Sequence, residues 1–329
     1  YSRPLLNTRG INMLNKIMLS LSLLAFATGV LAADHGANED AHQRAVLVTG
    51  ASSGIGLKIT EKLADSGFYV YATARKESDL ARLDAMDNVS AVRLDVTVQD
   101  EIDAAVKFVE AQGRGLYGVI NNAGVSAFSP LLTGPESDMD FVFDVNVYGP
   151  YRVNRAFMAM LDESDGHTST IGSISGFTGT SGIYSMSKFA VEAYTDSLAR
   201  ETAGTGVHVS IIEPGGFKSR IGANRAARAL AAADKGEIKL SDKERTRYQR
   251  MLEQESTRKD PDEVAEAVYD LLTADEPKRR YMVTPDEDQA QRTIKAAMRR
   301  VVQLNHDQPY QYDRDGLITV LDELLAEIE

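Results

Sequence analysis

The sequence contains no cysteine, and only five of its 329 residues are histidine. Without cysteine the chain forms no disulfide, no thiolate metal site and no cysteine nucleophile. The histidines show no close ligand spacing such as HxxxH, so we predict no metal site. Acidic residues outnumber basic ones, and the formal net charge of −12 disfavours a nucleic-acid partner. Thiol chemistry is therefore excluded, and metal-dependent and nucleic-acid functions are disfavoured.

One long apolar run, of about 17 residues, covers residues 17–33. It follows Lys16 and ends in small residues, which is typical of a secretory signal cleaved after Ala32. An uncleaved membrane anchor is the alternative, although the run is short for a membrane span and Gly29 interrupts it. A misassigned start is the third reading, because the chain begins at Tyr1 rather than at methionine.

The interpretation of this segment decides the expected localisation. A signal or an anchor predicts an exported or membrane-associated protein, with membrane contact through residues 17–33, whereas a misassigned start predicts a cytoplasmic one. We divide the chain into this segment at residues 1–33, a polar linker at 34–43 and one domain at 44–329.

From residue 44 onward, short apolar runs alternate with amphipathic segments. This alternation predicts an α/β fold, a doubly wound parallel sheet of the Rossmann type between two helical layers in a single domain. We predict strands over residues 44–49, 68–73, 89–94, 116–120, 168–171, 207–212 and 281–284. We predict helices over residues 55–66, 80–86, 102–111, 137–161, 184–202, 290–304 and 317–328, and a polar helical segment around 220–260 that covers the substrate.

A glycine-rich turn separates the first predicted strand from the first predicted helix. Glycines let backbone N–H groups approach a pyrophosphate, and the positive end of the helix dipole favours its charge. A glycine-rich loop alone is weak evidence, but the flanking strand and helix give it the context that a dinucleotide site requires. The cofactor-binding candidates in this turn are Gly50, Ser52, Ser53, Gly54, Ile55 and Gly56.

The end of the second predicted strand bears on which cofactor binds. NAD enzymes of this architecture typically place Asp or Glu there, to hold the ribose hydroxyls. Here the strand ends in Ala74 and is followed by Arg75 and Lys76. Arg75 is positioned to meet a 2′-phosphate, with Lys76 as a second contact, so the sequence favours NADP(H) over NAD(H). Two solvated surface charges are the alternative.

Tyr184 and Lys188 are four residues apart on a predicted helix, so they share one face, about one turn from each other. A lysine cation beside a phenol favours the phenolate and lowers the tyrosine pKa. Tyr184 is therefore a candidate general acid/base for an alcohol or a carbonyl.

These motifs, taken together, resemble the short-chain dehydrogenase/reductase family, in its short single-domain branch. The TGxxxGxG spacing, the residues 121–124, Ser173, the Tyr184–Lys188 pair and Pro214 with Gly215 occur in the order that the family shows. The resemblance covers residues 44–220. It implies an oxidoreductase that transfers a hydride between a nicotinamide cofactor and a carbon atom.

Carried over by position, the resemblance implies four catalytic residues. Tyr184 transfers the proton, Ser173 hydrogen-bonds the substrate oxygen, and Lys188 bonds the nicotinamide ribose. Asn146 supports a proton-relay water. Each has an alternative: Asn146 could bond backbone in the core, Ser173 could cap a strand end, with Ser175 as its substitute, and Tyr184 could be a buried aromatic residue.

The resemblance also implies cofactor contacts beyond the glycine-rich turn. They meet the adenine after the third strand, the ribose after the fourth and the nicotinamide after the sixth. Tyr184 and Lys188 belong to this set as well. The remaining cofactor candidates are Asp95, Val96, Asn122, Ala123, Gly124, Pro214, Gly215, Phe217 and Ser219.

The predicted reaction interconverts a secondary alcohol and a ketone or aldehyde. The residues 71–75 and 187–191 resemble the hydroxysteroid and retinol dehydrogenase members, which favours a bulky hydrophobic small-molecule substrate; a carrier-bound or small carbonyl is the alternative. A non-catalytic NADP-binding sensor and a membrane-tethered interaction protein are the alternative classes. The family resemblance implies a homodimer or homotetramer, joined through the helices 137–161 and 184–202.

Overall fold

The structure, a computed structural model, describes residues 43–127, 131–254 and 257–328. The predicted signal or anchor at residues 1–33 and all but the last residue of the predicted linker lie outside the described residues. Among the helices of the described part, none is long and apolar enough to cross a membrane.

The described residues form one sheet of seven parallel strands in the order β3-β2-β1-β4-β5-β6-β7. Strands β1, β2 and β3 follow one another toward one edge of the sheet. The chain then crosses to the other side of β1, where β4 to β7 follow one another toward the opposite edge. This confirms the predicted doubly wound α/β fold, and the reversal between β1 and β4 is where such sheets bind ligands. The strands are β1 Ala45–Val48, β2 Tyr69–Ala74, β3 Val89–Arg93, β4 Gly118–Asn121, β5 His167–Ile171, β6 His208–Pro214 and β7 Arg280–Val283.

Helices cover both faces of the sheet. In the first half of the fold they are α1 Gly54–Asp65, α2 Glu77–Asp84, α3 Gln99–Gln112, α4 Glu136–Phe143, α5 Gly149–Asp162 and the short α6 Ser175–Thr178. They continue as α7 Ile183–Glu201, α8 Arg220–Asp234, α9 Asp242–Gln254, α10 Asp262–Thr273, α11 Glu287–Asn305 and α12 Arg314–Ala326. Helices α8 and α9 occupy most of the segment in which we expect a substrate cover, and α10 was not predicted.

The hydrophobic core has two layers, one on each face of the sheet. Successive side chains of β1 alternate between them: Val46 belongs to one layer and Leu47 to the other, and both are fully buried. Strands buried on both faces carry continuous apolar runs rather than alternating ones. This is why the first predicted strand is recognisable from its composition alone.

The single helix predicted over residues 137–161 is interrupted, which corrects that prediction. A π-helical turn, Asp144–Tyr148, separates α4 from α5. Pro150 has no N–H, so it cannot donate the usual hydrogen bond to the carbonyl of Asn146 one turn earlier. A Cβ on Gly149 would lie 2.8 Å from Cγ2 of Val96, so this residue must be glycine for the helix to pack against the end of β3. Such turns are frequent at functional sites.

Candidate active site

A cleft of about 440 Å³ opens where the carboxyl ends of the central strands meet. Its volume is within the range of small-molecule and cofactor sites. Three of the predicted site residues, Gly54, Gly56 and Asn146, do not line it. The predicted residues that line it are Gly50, Ser52, Ser53, Ile55, Arg75, Asp95, Val96, Asn122, Ala123, Gly124, Ser173, Tyr184, Lys188, Pro214, Gly215, Phe217 and Ser219.

Two glycines of the glycine-rich turn have no room for a side chain. A Cβ on Gly56 would overlap the side-chain amide of Asn122, and one on Gly50, which has φ +66°, would lie 2.9 Å from Cα of Ala123. Asn122 Nδ2 donates to the carbonyls of Thr49 at 2.9 Å and Gly50 at 3.1 Å, so the turns after β1 and β4 are locked together. Gly54 and Gly56 therefore shape the cleft without lining it. This cradle fits the phosphates of a dinucleotide at the N-terminus of α1.

At the far end of the cleft, Arg75 and Asp95 form an ion pair, with Nη1 3.1 Å from Oδ2. The Arg75 side chain is 63% exposed. Burial acts to raise the pKa of Asp95, but hydrogen bonds from Thr97 and Arg75 outweigh it and hold the pKa below its usual value. Arg82, which sequence reasoning missed, reaches this end from α2 and donates to the carbonyl of Ser52 at 2.5 Å. Arg75, paired with Asp95, is therefore the cation that lines this end of the cleft.

At the inner end, Ser173, Tyr184 and Lys188 come together. Tyr184 and Lys188 share one face of α7, and Lys188 Nζ lies 5.6 Å from the centroid of the tyrosine ring. The Ser173 side chain, after β5, is hydrogen-bonded to Tyr184, and its Oγ also accepts from the backbone N–H of Ser175 at 3.1 Å. The three residue types needed to hold and protonate a carbonyl oxygen therefore meet at one point.

The effect of Lys188 on Tyr184 differs from the prediction. Burial raises the pKa of Tyr184 above its ordinary value, and the groups that oppose this are the hydrogen bond with Ser173 and the charge of Arg225. Lys188 Nζ is directed to the carbonyl of Ile171, to which it donates at 2.7 Å. The predicted lowering by Lys188 is therefore wrong for this structure, because desolvation dominates at the phenol.

Lys188 is itself unusually placed for a lysine, with 5% of its surface exposed. Burial lowers its pKa to about 8, and the nearby Glu192 carboxylate partly offsets this. Glu192 is in turn ion-paired with Arg280, which also contacts Asp196. A chain of charged groups therefore lies behind the lysine, on the side away from the cleft.

Asn146, in the π-helical turn, has its side chain fully engaged. Oδ1 accepts from the N–H of Val125 at 2.8 Å, while Nδ2 donates to the carbonyl of Val125 at 2.9 Å and to Oγ of Ser187 at 2.9 Å. These bonds tie the segment after β4 to α7, beside Lys188. The geometry corresponds to the alternative in which Asn146 bonds backbone in the core, and it gives the residue a positioning role.

Sequence reasoning missed several residues at the inner end. Ser126 is 4% exposed and lines the cleft, and its Oγ has no hydrogen-bond partner among the described residues. Gln289, at the start of α11, accepts from the N–H of Gly216 at 2.7 Å and so fixes the loop after β6. Arg225, on α8, and Arg258, between α9 and α10, also line the cleft. No sequence motif points to Ser126, Gln289, Arg225 or Arg258.

Comparison with known proteins agrees with this geometry. Residues 44–229 match the family model described as short chain dehydrogenase. This match spans more than half of the chain, and the chain belongs to the short-chain dehydrogenase family.

Individual proteins show how far the similarity extends. The chain is 36% identical over 182 residues to an uncharacterized oxidoreductase of Escherichia coli K12, YbbO, covering 54% of this chain and 67% of that one. It is 32% identical over 263 residues to the mitochondrial D-β-hydroxybutyrate dehydrogenase of Bos taurus, covering 72% and 76%. A solved short-chain dehydrogenase/reductase from Burkholderia phymatum, in complex with NAD, is 25% identical with a TM-score of 0.68, covering 82% of this chain and 98% of that one.

Proposed function

We propose that this protein is an NADP(H)-dependent oxidoreductase that interconverts a secondary alcohol and a ketone or aldehyde. The observation that carries the proposal is the meeting of Ser173, Tyr184 and Lys188 at the inner end of a cleft whose wall is the glycine cradle. Membership of the short-chain dehydrogenase family and the NAD complex of a structural neighbour support an oxidoreductase with a nicotinamide cofactor, and the choice of NADP(H) is argued separately below.

Each of the three side chains at the inner end of the cleft has a separate role in the proposed reaction. When bound, the nicotinamide cofactor supplies or accepts the hydride. In reduction, the Tyr184 hydroxyl gives its proton to the carbonyl oxygen, while Ser173 stabilises the charge that develops there. Burial raises the pKa of Tyr184, so the phenol is protonated at neutral pH and ready to act as an acid. Lys188 supplies a buried positive charge beside it.

The preference for NADP(H) rests on the residues after β2. Arg75 lines the cleft where the second strand ends, and no acidic residue ends that strand. A guanidinium binds a phosphate through two parallel hydrogen bonds, whereas the ribose hydroxyls of NAD call for a carboxylate. We propose that Arg75 leaves Asp95 for the 2′-phosphate, with Lys76 as a second cation, and that Asp95 and Val96 meet the adenine.

Steady-state turnover tests the proposal. Full-length protein is incubated with NADPH and a panel of ketones and aldehydes, and NADPH oxidation is followed by absorbance. We expect turnover that Tyr184→Phe lowers by about 10³-fold, within the range that a general acid contributes. Tyr194→Phe, on the same helix but hydrogen-bonded to Asn154, is the matched control and should retain activity.

Two results would count against the proposal in different ways. Turnover that survives Tyr184→Phe would remove the acid/base role of that residue. NADPH binding without turnover of any carbonyl or alcohol would favour the alternative of a non-catalytic sensor on the same fold.

A further inference from the structure

The loop that follows β6 borders the cleft on the side where the family resemblance places the nicotinamide. Its backbone N–H groups have two kinds of partner. Those of Gly215, Phe217 and Lys218 donate to backbone carbonyls at 2.7, 2.9 and 2.9 Å. That of Gly216 donates to a side chain, with its N 2.7 Å from Oε1 of Gln289. The middle of this loop is therefore held by one side chain from a distant part of the sequence.

Gln289 belongs to a part of the chain that the family match does not cover. The match ends at residue 229, whereas Gln289 is in the first turn of α11, after β7. The residue nevertheless lines the cleft. The segment between β7 and α11 therefore contributes to the site, although the family model does not extend to it.

Close packing between this segment and the loop accounts for the two glycines that follow Pro214. A Cβ on Gly215 would lie 2.7 Å from Oε1 of Gln289 and 2.8 Å from Cδ of Pro285. A Cβ on Gly216 would lie 3.3 Å from the same Oε1. A larger residue at position 215 would push the segment away, so the small size of Gly215 allows the hydrogen bond to Gln289 to form.

The orientation of the Gln289 amide is fixed from both sides. Asp286, the N-cap of α11, accepts through Oδ1 from the backbone N–H of Gln289 at 2.8 Å and through Oδ2 from its Nε2 at 2.6 Å. These two bonds hold the pKa of Asp286 below its ordinary value, so its carboxylate acts as an acceptor only at neutral pH. The backbone N–H of Gly216 can only donate. One orientation of the amide satisfies both neighbours, with Nε2 toward Asp286 and Oε1 toward Gly216.

We propose that Asp286 and Gln289 form a clamp that holds the loop after β6 in the conformation that receives the nicotinamide end of the cofactor. This inference rests on the proposed oxidoreductase function and adds two positioning residues to it, because both side chains act through the backbone of Gly216. A loop that is held before the cofactor arrives loses less conformational freedom on binding, which raises the affinity. The segment after β7 is thereby assigned a role in cofactor binding.

Gln289→Leu removes both side-chain hydrogen bonds of the clamp without changing the charge. We expect the Kd for NADPH, from fluorescence titration, to rise about tenfold, as the loss of one net hydrogen bond allows. Deuterium exchange at the Gly216 amide, read by mass spectrometry on peptides that span residues 214–218, should become about tenfold faster. Gln291→Leu is the matched control: Nε2 of Gln291 donates to Glu287 at 2.6 Å, outside the cleft lining, so both quantities should stay within about twofold.

Exchanging the polarity of the two side chains tests the clamp as a pair. Asp286→Asn sets an amide donor against Nε2 of Gln289, and Gln289→Glu sets a carboxylate against the Asp286 carboxylate, so each should weaken NADPH binding about tenfold. In the double variant the asparagine donates to the glutamate, the glutamate still accepts from Gly216, and the net charge is that of the unaltered protein. Asparagine is also as good an N-cap as aspartate. We expect the double variant to bind NADPH within about threefold of the unaltered protein, and additive losses would overturn the clamp.

Steady-state kinetics separate the clamp from a general loss of structure. In Gln289→Leu the KM for NADPH should rise about tenfold while the KM for the carbonyl substrate stays within about threefold, and an equal rise in both would overturn the proposal. If no carbonyl is turned over, the proposed reaction fails, and the clamp is judged by NADPH affinity and amide exchange. Unchanged affinity in Gln289→Leu, equal changes in Gln289→Leu and Gln291→Leu, or no NADPH binding by the unaltered protein would overturn the clamp.

Discussion

At Tyr184, desolvation and hydrogen bonding act on the phenol in opposite directions. Burial raises its pKa, while Ser173 and Arg225 lower it. Lys188, one turn away, is subject to the same desolvation, which lowers the pKa of its ammonium to about 8. The two pKa values therefore move apart, with that of Lys188 below that of Tyr184, and both groups are protonated at neutral pH.

This pairing predicts the pH dependence of the reductive reaction. Reduction needs a protonated Tyr184 and a charged Lys188, and the lysine loses its proton first as pH rises. We expect kcat/KM for carbonyl reduction to be constant from pH 6 to 7 and to fall above about pH 8. Stopped-flow or steady-state rates across this range measure it.

Glu192→Gln is the control for assigning the fall in kcat/KM at alkaline pH to Lys188. The Glu192 carboxylate raises the pKa of Lys188, so its neutral replacement should move the alkaline limb to lower pH. An alkaline limb that stays in the same place in Glu192→Gln would assign the titration to another group.

The residues that we propose as catalytic could be named from the sequence, but their protonation could not. Tyr184 and Lys188 follow from a helical spacing, and Ser173 follows from the family resemblance. The sign of the shift at Tyr184 depends on how much solvent the folded cleft removes, which no local pattern encodes. Arg225 was missed for the same reason, because it reaches Tyr184 through the packing of α8 on α9.

At the scale of elements, the N-terminus of α1 is the part of the fold on which cofactor binding depends. The turn before it is pinned by Asn122 and by Thr49, whose Oγ1 accepts from the backbone N–H groups of Asn122 and Ala123 at 3.0 Å. Two loops that are distant in sequence thus form one rigid edge of the cleft.

Gly56→Ala should abolish NADPH binding, because the added methyl group would overlap the Asn122 amide and the Gly50 carbonyl and force the two loops apart. Fluorescence titration with NADPH measures it, with an expected loss of at least 100-fold in affinity. Gly67→Ala, at the other end of α1, is the control. Its φ of +89° makes alanine destabilising by about 1 kcal/mol, with open space around the methyl group, so binding should be retained. Tight NADPH binding by Gly56→Ala would contradict the role of this turn.

The π-helical turn is an element that the local sequence does not predict. Helical periodicity continues through residues 137–161, and the sequence predicts one helix there. Whether Gly149 and Pro150 end a helix, kink it or widen one turn depends on the neighbour, here Val96 in the loop after β3. The close approach to Val96 is a tertiary contact, so the local sequence predicts a helix and misses its irregular turn.

At the scale of the whole molecule, the sheet carries a buried histidine that links stability to pH. His167, at the start of β5, accepts or donates a hydrogen bond of 2.9 Å with the Tyr117 hydroxyl and stacks on His208. Burial lowers its pKa from 6.5 to about 4, and the charges of His208 and Arg44 contribute. The native protein therefore holds this ring neutral.

Because the pKa is depressed in the folded state, the unfolded chain binds a proton first as pH falls. The free energy of unfolding should fall by roughly 3 kcal/mol between pH 6.5 and pH 4 from this residue. His167→Gln should flatten that loss, while the exposed His306→Gln should not. Urea unfolding at several pH values measures it, and an unchanged slope in His167→Gln would contradict the assignment.

Assembly of this chain into a homodimer or homotetramer is a prediction from the family resemblance. Tyr148, at the end of the π-helical turn, and Tyr151, in α5, lie within the segment 137–161 implied as a contact and are 54% and 45% exposed. We expect sedimentation to show a dimer or tetramer that Tyr151→Glu dissociates. Helix α12 also exposes apolar residues, Leu321 among them. Dissociation by Leu321→Glu, but not by Tyr151→Glu, would place the contact on α12 instead.

The fold as a whole was predictable because its signals are redundant. Strand β1 is a continuous apolar run, whereas β5 is mostly polar, and turns and amphipathic helices separate the strands in regular alternation. Helix α10 was missed although it packs against α1, because the preceding charged segment obscures where its periodicity begins. Residue patterns therefore located every strand of the sheet, while they missed one of its covering helices.

The central claim, that this cleft binds NADPH for hydride transfer at Tyr184, is tested most directly by titrating the full-length protein with NADPH and NADH. Arg75→Asp is measured beside it, with Lys107→Asp, an exposed residue of α3, as the charge-matched control. We expect NADPH to bind at least tenfold more tightly than NADH, and Arg75→Asp to reverse that order, because a carboxylate repels the 2′-phosphate and accepts from the ribose hydroxyls. Binding of neither cofactor by the unaltered protein would contradict the account.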